Sequence, residues 1–226
     1  MHRSVRLPML ASIALITLSG NAFAQQQAPQ SPNMTFFVTG AGPGKGADLG
    51  GLEGADAHCQ KLAQGAGAGT KTWRAYLSTN TNLAAPDKTV NARDRIGKGP
   101  WQNFKGEVIA TSVDDLHSDK NKINMETGLT ERGNKVAGVG YTPNYHDAMT
   151  GSQSDGRAFP GNMNLTCGNY ASSEFGKVEV GHIDRTGLAD TAQAHSWNSS
   201  HNSRDCSQPG LVATGGNGLF YCFAAQ

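Results

Sequence analysis

Residues 50–64 read Gly-Gly-Leu-Glu-Gly-Ala-Asp-Ala-His-Cys-Gln-Lys-Leu-Ala-Gln, and residues 72–77 read Thr-Trp-Arg-Ala-Tyr-Leu. In the first stretch Leu52, Ala55, Cys59, Leu62, Ala63 and, just beyond, Ala66 recur at steps of three and four. That is one apolar face of a helix over about 51–64, with Glu53, Asp56 and Lys61 expected to face water. The glycines within 65–69 end it. Cys59 falls on the face that is to be buried, where a structural disulfide belongs. The second stretch alternates with period two and predicts a strand in which Trp73, Ala75 and Leu77 share a face.

Working outward, Met34-Thr35-Phe36-Phe37-Val38-Thr39 is β-prone and predicts a strand. The glycine-rich stretch 40–51 follows as a loop. It does not end in Gly-Lys-Ser/Thr and is not read as a phosphate loop. Downstream, 90–104 is a loop or short helix, and Glu107-Val108-Ile109-Ala110 is a strand. Ser112 is placed to cap a short helix over 113–116, with Asp114 and Asp115 in its first turn. Residues 117–166 show little periodicity and are dominated by Asn, Gly, Asp and Thr. A loop of that length is functional or contains short elements of its own. A strand is expected over 177–181, and a closing strand over 219–224, entered through 215–218. No internal repeat is visible. The organisation is one α+β domain over 34–226, with short strands and long loops.

The N-terminus carries His2, Arg3 and Arg6, then an apolar run over 7–18, then Ala22-Phe23-Ala24. This is the pattern of a secretory signal peptide over residues 1–24; its apolar run is too short to span a bilayer. The Gln- and Pro-rich stretch 25–33 is expected to be a disordered lead-in. No later stretch is long and apolar enough to cross a membrane, so the mature chain is expected in the periplasm or outside the cell, without membrane insertion. In an oxidising compartment the four cysteines, Cys59, Cys167, Cys206 and Cys222, read as two structural disulfides. Four cysteines allow three pairings. There is no Cys-x-x-Cys of a zinc ribbon or redox site. Lys and Arg number 19 against 18 Asp and Glu, so the chain lacks the basic field that nucleic-acid binding needs. Gly is unusually frequent, 29 of 226 residues, which fits a loop-rich domain and excludes a long coiled coil.

Gly50-Gly51-Leu52-Glu53-Gly54-Ala55-Asp56-Ala57-His58-Cys59, followed by Trp73-Arg74-Ala75-Tyr76-Leu77-Ser78 and closed by Gly218-Leu219-Phe220-Tyr221-Cys222-Phe223, resembles the endostatin-like branch of the C-type-lectin-like fold. The matches bracket most of the mature chain. The helix–strand pair is fairly specific, and the middle is not. The resemblance implies nested disulfides, Cys59–Cys222 outside and Cys167–Cys206 inside, the inner one stapling a second small sheet beneath a long display loop. It implies a bacterial secreted lectin-like protein, and with it carbohydrate binding.

Calcium-dependent lectins of that fold hold the ion with Glu-Pro-Asn or Gln-Pro-Asp and with Trp-Asn-Asp. The nearest equivalents here are Thr142-Pro143-Asn144 and Trp197-Asn198-Ser199, in each of which a hydroxyl replaces the carboxylate. Gln208-Pro209-Gly210 lacks its acid as well. A calcium site needs several hard oxygen ligands, so the usual calcium-dependent sugar site is not expected, and no cofactor or metal is. His146, Asp147, His182, Asp184, His195, His201 and Asp205 fall together in the second half of the chain. His195 and His201 could serve a metal, but their spacing matches no single helix face, and loop histidines bonded to backbone are the simpler reading. No Gly-x-Ser-x-Gly occurs and no cysteine is left free, so no catalytic residue is assigned. Trp197 has a face suited to sugar CH patches, and a core position beside the inner cysteine pair suits it equally. The sequence thus points to a binding module for a glycan or an extracellular or envelope protein. Its ligand-binding candidates are Asn144, His146, Asp147, Trp197, Asn198 and His201. The alternative is a secreted hydrolase or other enzyme on the same scaffold.

Overall fold

The computed structural model describes residues 1–2, 29–82 and 84–225. The expected signal peptide therefore lies outside the described residues, Met1 and His2 excepted. The elements in chain order are β1 (Phe36–Val38), α1 (Gly51–Gly65), β2 (Trp73–Ala75), β3 (Trp101–Gln102), β4 (Val108–Ala110), α2 (Val113–Leu116), β5 (Asp147–Met149), α3 (Cys167–Tyr170), β6 (Glu179–His182), β7 (His201–Asn202), α4 (Gln208–Val212) and β8 (Gly216–Ala224). The class is mixed, with four α-helices among the described residues and strands in sheets, compatible with α+β. Among the described residues no helix is long and apolar enough to cross a membrane.

β8 is the axis of the main sheet. Its Cys222 is the register partner of both Phe37 in β1 and Ala75 in β2, so these two antiparallel strands flank it from opposite sides. Further along, β8 pairs in parallel with β5, and the order continues through β6 to β7. Alternation along β8 feeds two cores. Phe220, Cys222 and Ala224 join Phe37, Trp73, Ala55 and Ala63 on one side, beneath α1. Leu219, Tyr221 and Phe223 join Phe36, Tyr76, Trp101 and Trp197 on the other. A strand covered on both faces is apolar at every position, which is why 219–224 reads as a continuous hydrophobic run.

The helix and strand expected over 51–64 and 72–77 form as α1 and β2. The bridges are Cys59–Cys222, which fastens α1 to β8, and Cys167–Cys206, which fastens α3 to the segment before α4. This is the pairing that the resemblance implied. Ser112 caps α2 by accepting from the Asp115 amide.

Two expectations are corrected, and one open alternative is decided. Asp56 does not face water: it is 8% exposed. Its oxygens accept from Arg74 Nη1 at 2.7 Å, Arg95 Nη2 at 2.8 Å and the Ala75 amide at 2.9 Å. Two guanidiniums and a backbone donor make that burial tolerable. The stretch 117–166, expected to be functional or to contain short elements of its own, does contain one, β5. β5 is only three residues long and begins with an aspartate, so it gives no periodic signal. Finally, the inner disulfide does not staple a separate small sheet. β5, β6 and β7 continue the main sheet through β8, and the separate two-stranded sheet among the described residues is β3–β4.

Candidate functional site

The antiparallel register of β5 on β6 sets Asp147 directly opposite His182. β7 pairs with β6 so that His201 faces Val180, two residues from His182 and therefore on the same side of the sheet. His146 stands just ahead of β5, where the Asn144 side chain accepts from its amide at 3.1 Å. Three strand side chains and His146, just ahead of β5, thus meet at one end of the sheet. The Nε2 atoms of His146, His182 and His201 lie 3.4, 3.6 and 3.5 Å from the same oxygen, Asp147 Oδ1. His146, Asp147 and His182 are buried, and the His201 side chain is 36% exposed.

Each ring is fixed from its far side. His146 Nδ1 lies 2.9 Å from Asp184 Oδ1, His182 Nδ1 2.7 Å from the Ala194 carbonyl, and His201 Nδ1 3.1 Å from the Asn202 carbonyl. These partners only accept, so each Nδ1 carries the hydrogen. A neutral ring then presents the Nε2 lone pair toward Asp147. Burial first, with the neighbouring His146 acting the same way, holds the His182 imidazole below its ordinary pKa. His146 and His182 stack with ring centroids 4.2 Å apart, an arrangement two imidazoliums would disfavour. The Asp147 carboxylate, facing His201 at 3.5 Å, raises the pKa of that more exposed ring. Burial works against the charge on Asp184. The His146 ring and the amides of Val139 and Thr186 outweigh it, and the carboxyl stays below the usual range. Ser200 Oγ sits 3.2 Å from both nitrogens of His182, beside the ring edge.

Two glycines make room for the cluster. A Cβ on Gly181 would come within 1.9 Å of the Trp197 carbonyl oxygen. Without one, the 194–198 segment closes on β6, His182 N bonds to the Ser196 carbonyl, and Ala194 O reaches the His182 ring. Gly215, at φ +101, lies against His146, where a Cβ would meet the ring at 3.1 Å.

Asp147 is the exception to this order. Its two oxygens are the only buried side-chain polar atoms without a hydrogen-bond partner among the described residues. Above the cluster a cleft of about 900 Å3 opens, with His146, His182 and His201 among its lining residues. Its apolar walls are Val139, Pro143, Leu188, Ala189, Val212 and Ala213, and among the described residues no Asp, Glu, Lys or Arg lines it. Val139, Leu188 and Val212 are exposed.

Of the six ligand-binding candidates, His146, Asp147 and His201 converge, and Asn144 lines the cleft beside them. Trp197 and Asn198 lie elsewhere. Trp197 is 3% exposed and packs on Tyr76 and Tyr221 with ring centroids 4.8 and 5.2 Å away. The Asn198 amide donates to Tyr76 Oη and to the Gln153 and Ser154 carbonyls. Both border a smaller recess of about 460 Å3 that also includes His117 and Ser118. His195 stays outside the cluster, bonded to Asp190 and the Arg185 carbonyl. His182 was not among the candidates. Extending the 177–181 strand by one residue would have set it on the Val180 face. No protein-family model matches the chain, and no curated protein matches it.

Proposed function

We propose that the chain is an exported, lectin-like binding module whose ligand seat is the cleft over His146, His182 and His201. The export reading is supported by two disulfides, which persist in oxidising compartments. The lectin-like reading is supported by the α1–β2 pair and by the bridge tying α1 to β8. The observation that carries the binding role is the cleft itself. It is of ligand-seat size, apolar-walled, free of lining charge and rimmed by exposed Leu188, Val139 and Val212.

The wall chemistry favours an apolar segment of a partner protein over a sugar. A sugar seat draws on aromatic platforms and carboxylates; among the described residues no carboxylate lines this cleft, its only aromatic rings are imidazoles, and Asn144 and Gln193 are its only side-chain amides. Selection from a displayed peptide library, with a glycan array run in parallel, tests the reading. Peptides rich in large apolar residues should be enriched and should lose binding to Leu188→Glu, while its melting temperature stays that of the wild type. Array binding that survives Leu188→Glu, with no peptide enriched, would assign the module to glycans instead.

A further inference from the structure

We infer that His146, His182, His201 and Asp147 form a binding site for one divalent transition-metal ion of the zinc class, held by three imidazole Nε2 atoms and an aspartate oxygen. The inference concerns the floor of the cleft and does not depend on what the cleft binds.

The first argument is electrostatic. Three lone pairs aimed at one buried carboxylate repel it, and neither oxygen of that carboxylate accepts a hydrogen bond that would offset the repulsion. The N···O separations of 3.4 to 3.6 Å are too long for hydrogen bonds. Asp147 is accordingly left without a donor in a place where an unpaired carboxylate is costly. A cation in the middle turns all four groups from mutually repulsive to jointly attractive.

The second argument is metric. Zinc bonds imidazole nitrogen at about 2.0–2.1 Å, and a tetrahedron with such arms has edges of about 3.3–3.4 Å. Neighbouring ligands on an octahedron of the same radius would stand only about 2.8–3.0 Å apart. The three N···O separations, 3.4 to 3.6 Å, lie at or just above those tetrahedral edges. His146, Asp147 and His182 offer ligand atoms within 4.8 Å of one another, and the half-exposed His201 ring completes the set by turning inward. Imidazole donors suit zinc, copper, nickel and iron. Calcium takes six to eight oxygens, which this site does not offer.

The third argument is charge. With neutral rings, the buried carboxylates are Asp147 and, behind His146, Asp184, whose side chain is 3% exposed. A double positive charge balances these two and leaves the cluster neutral.

The fourth is the outer layer. Each metal-facing ring donates its other N–H to a carboxylate or a carbonyl, which fixes the tautomer and orients the lone pair. The cleft and the half-open His201 supply an entry path, so the site meets the requirements of ligand identity, outer support and access.

The test uses the full exported protein, stripped with a chelator and titrated with zinc by calorimetry, with cobalt as a spectroscopic probe. One zinc per chain, a rise in melting temperature on loading, and the intense visible absorption of tetrahedral cobalt are expected. His201→Ala, at the exposed edge where folding is least affected, should weaken zinc binding more than 100-fold. Asp184→Asn, one layer out, should weaken it about 10–100-fold. Asp147→Asn should abolish the cobalt spectrum while leaving the metal-free protein folded, with a melting temperature equal to or above that of the wild type. His195→Ala should change nothing, and Leu188→Glu should keep full zinc affinity even where partner binding is lost. Absence of one-to-one binding, affinity unchanged by both His201→Ala and Asp147→Asn, or a weak octahedral cobalt spectrum would overturn the inference.

Discussion

Glu179 sits in β6, 5% exposed, with one oxygen accepting from Ser199 Oγ at 3.2 Å. Burial pushes its carboxyl from an ordinary 4.5 up to about 7, against the smaller opposing effects of Ser199 and the nearby His201. The folded chain therefore keeps this proton up to about pH 7, while the unfolded chain loses it near 4.5. Stability from this group is complete below 4.5, falls as pH rises through the window, and stays at its reduced level above 7. The gap corresponds to about 3 kcal/mol, or roughly 6–12 °C in melting temperature for a domain of this size. Glu179→Gln removes the ionisation and keeps an oxygen to accept from Ser199. Melting both proteins in chelator from pH 4.5 to pH 8 reads the effect, since every other titration except that of the neighbouring His201 is shared. The two curves should nearly coincide at pH 4.5 and diverge to an advantage of roughly 6–12 °C for the variant at pH 8. Parallel curves across the range would refute the assignment of this proton to Glu179.

The outer disulfide closes 163 positions and the inner one 39. Chain entropy assigns them ceilings of about 5 and 4 kcal/mol. Replacing Cys59 and Cys222 together by alanine should therefore lower the melting temperature by roughly 10–20 °C, and more than the Cys167/Cys206 pair does in the same scan. Trp197→Ala should cost about 3–5 kcal/mol in a denaturant titration, because the ring fills the core against Tyr76 and Tyr221. It should leave zinc affinity intact in any fraction that folds.

How much of this was legible in the sequence depended on where each residue's partners come from. α1 and β2 are local objects: the spacing of Leu52, Ala55, Cys59 and Ala63 states the helix, and the alternation about Trp73 states the strand. The closing strand was legible because burial on both faces leaves an unbroken apolar run. Asp56 was misjudged because its charge is satisfied by Arg95, 39 positions away. The site shows the same limit. His146, Asp147 and His201 drew attention as residue types, but β5 and β7, which bring them together, are three and two residues long. Elements so short owe their form to pairing with β6 and β8, and no window of sequence contains both sides of such a pair. Trp197 was ambiguous for the opposite reason: a tryptophan looks the same in sequence whether it faces a ligand or Tyr76.

The position of β8 bears on the order in which the molecule can assemble. β1, β2 and β5 each dock on a strand that is synthesised after all of them. Until β8 emerges, Phe36, Phe37 and Trp73 have no sheet to join, and Cys59 has no partner. A chain built this way stays unfinished until its last long strand is delivered. Its slow step is therefore the capture of a distant end, and a bystander chain offering a similar strand during that interval would be its natural competitor.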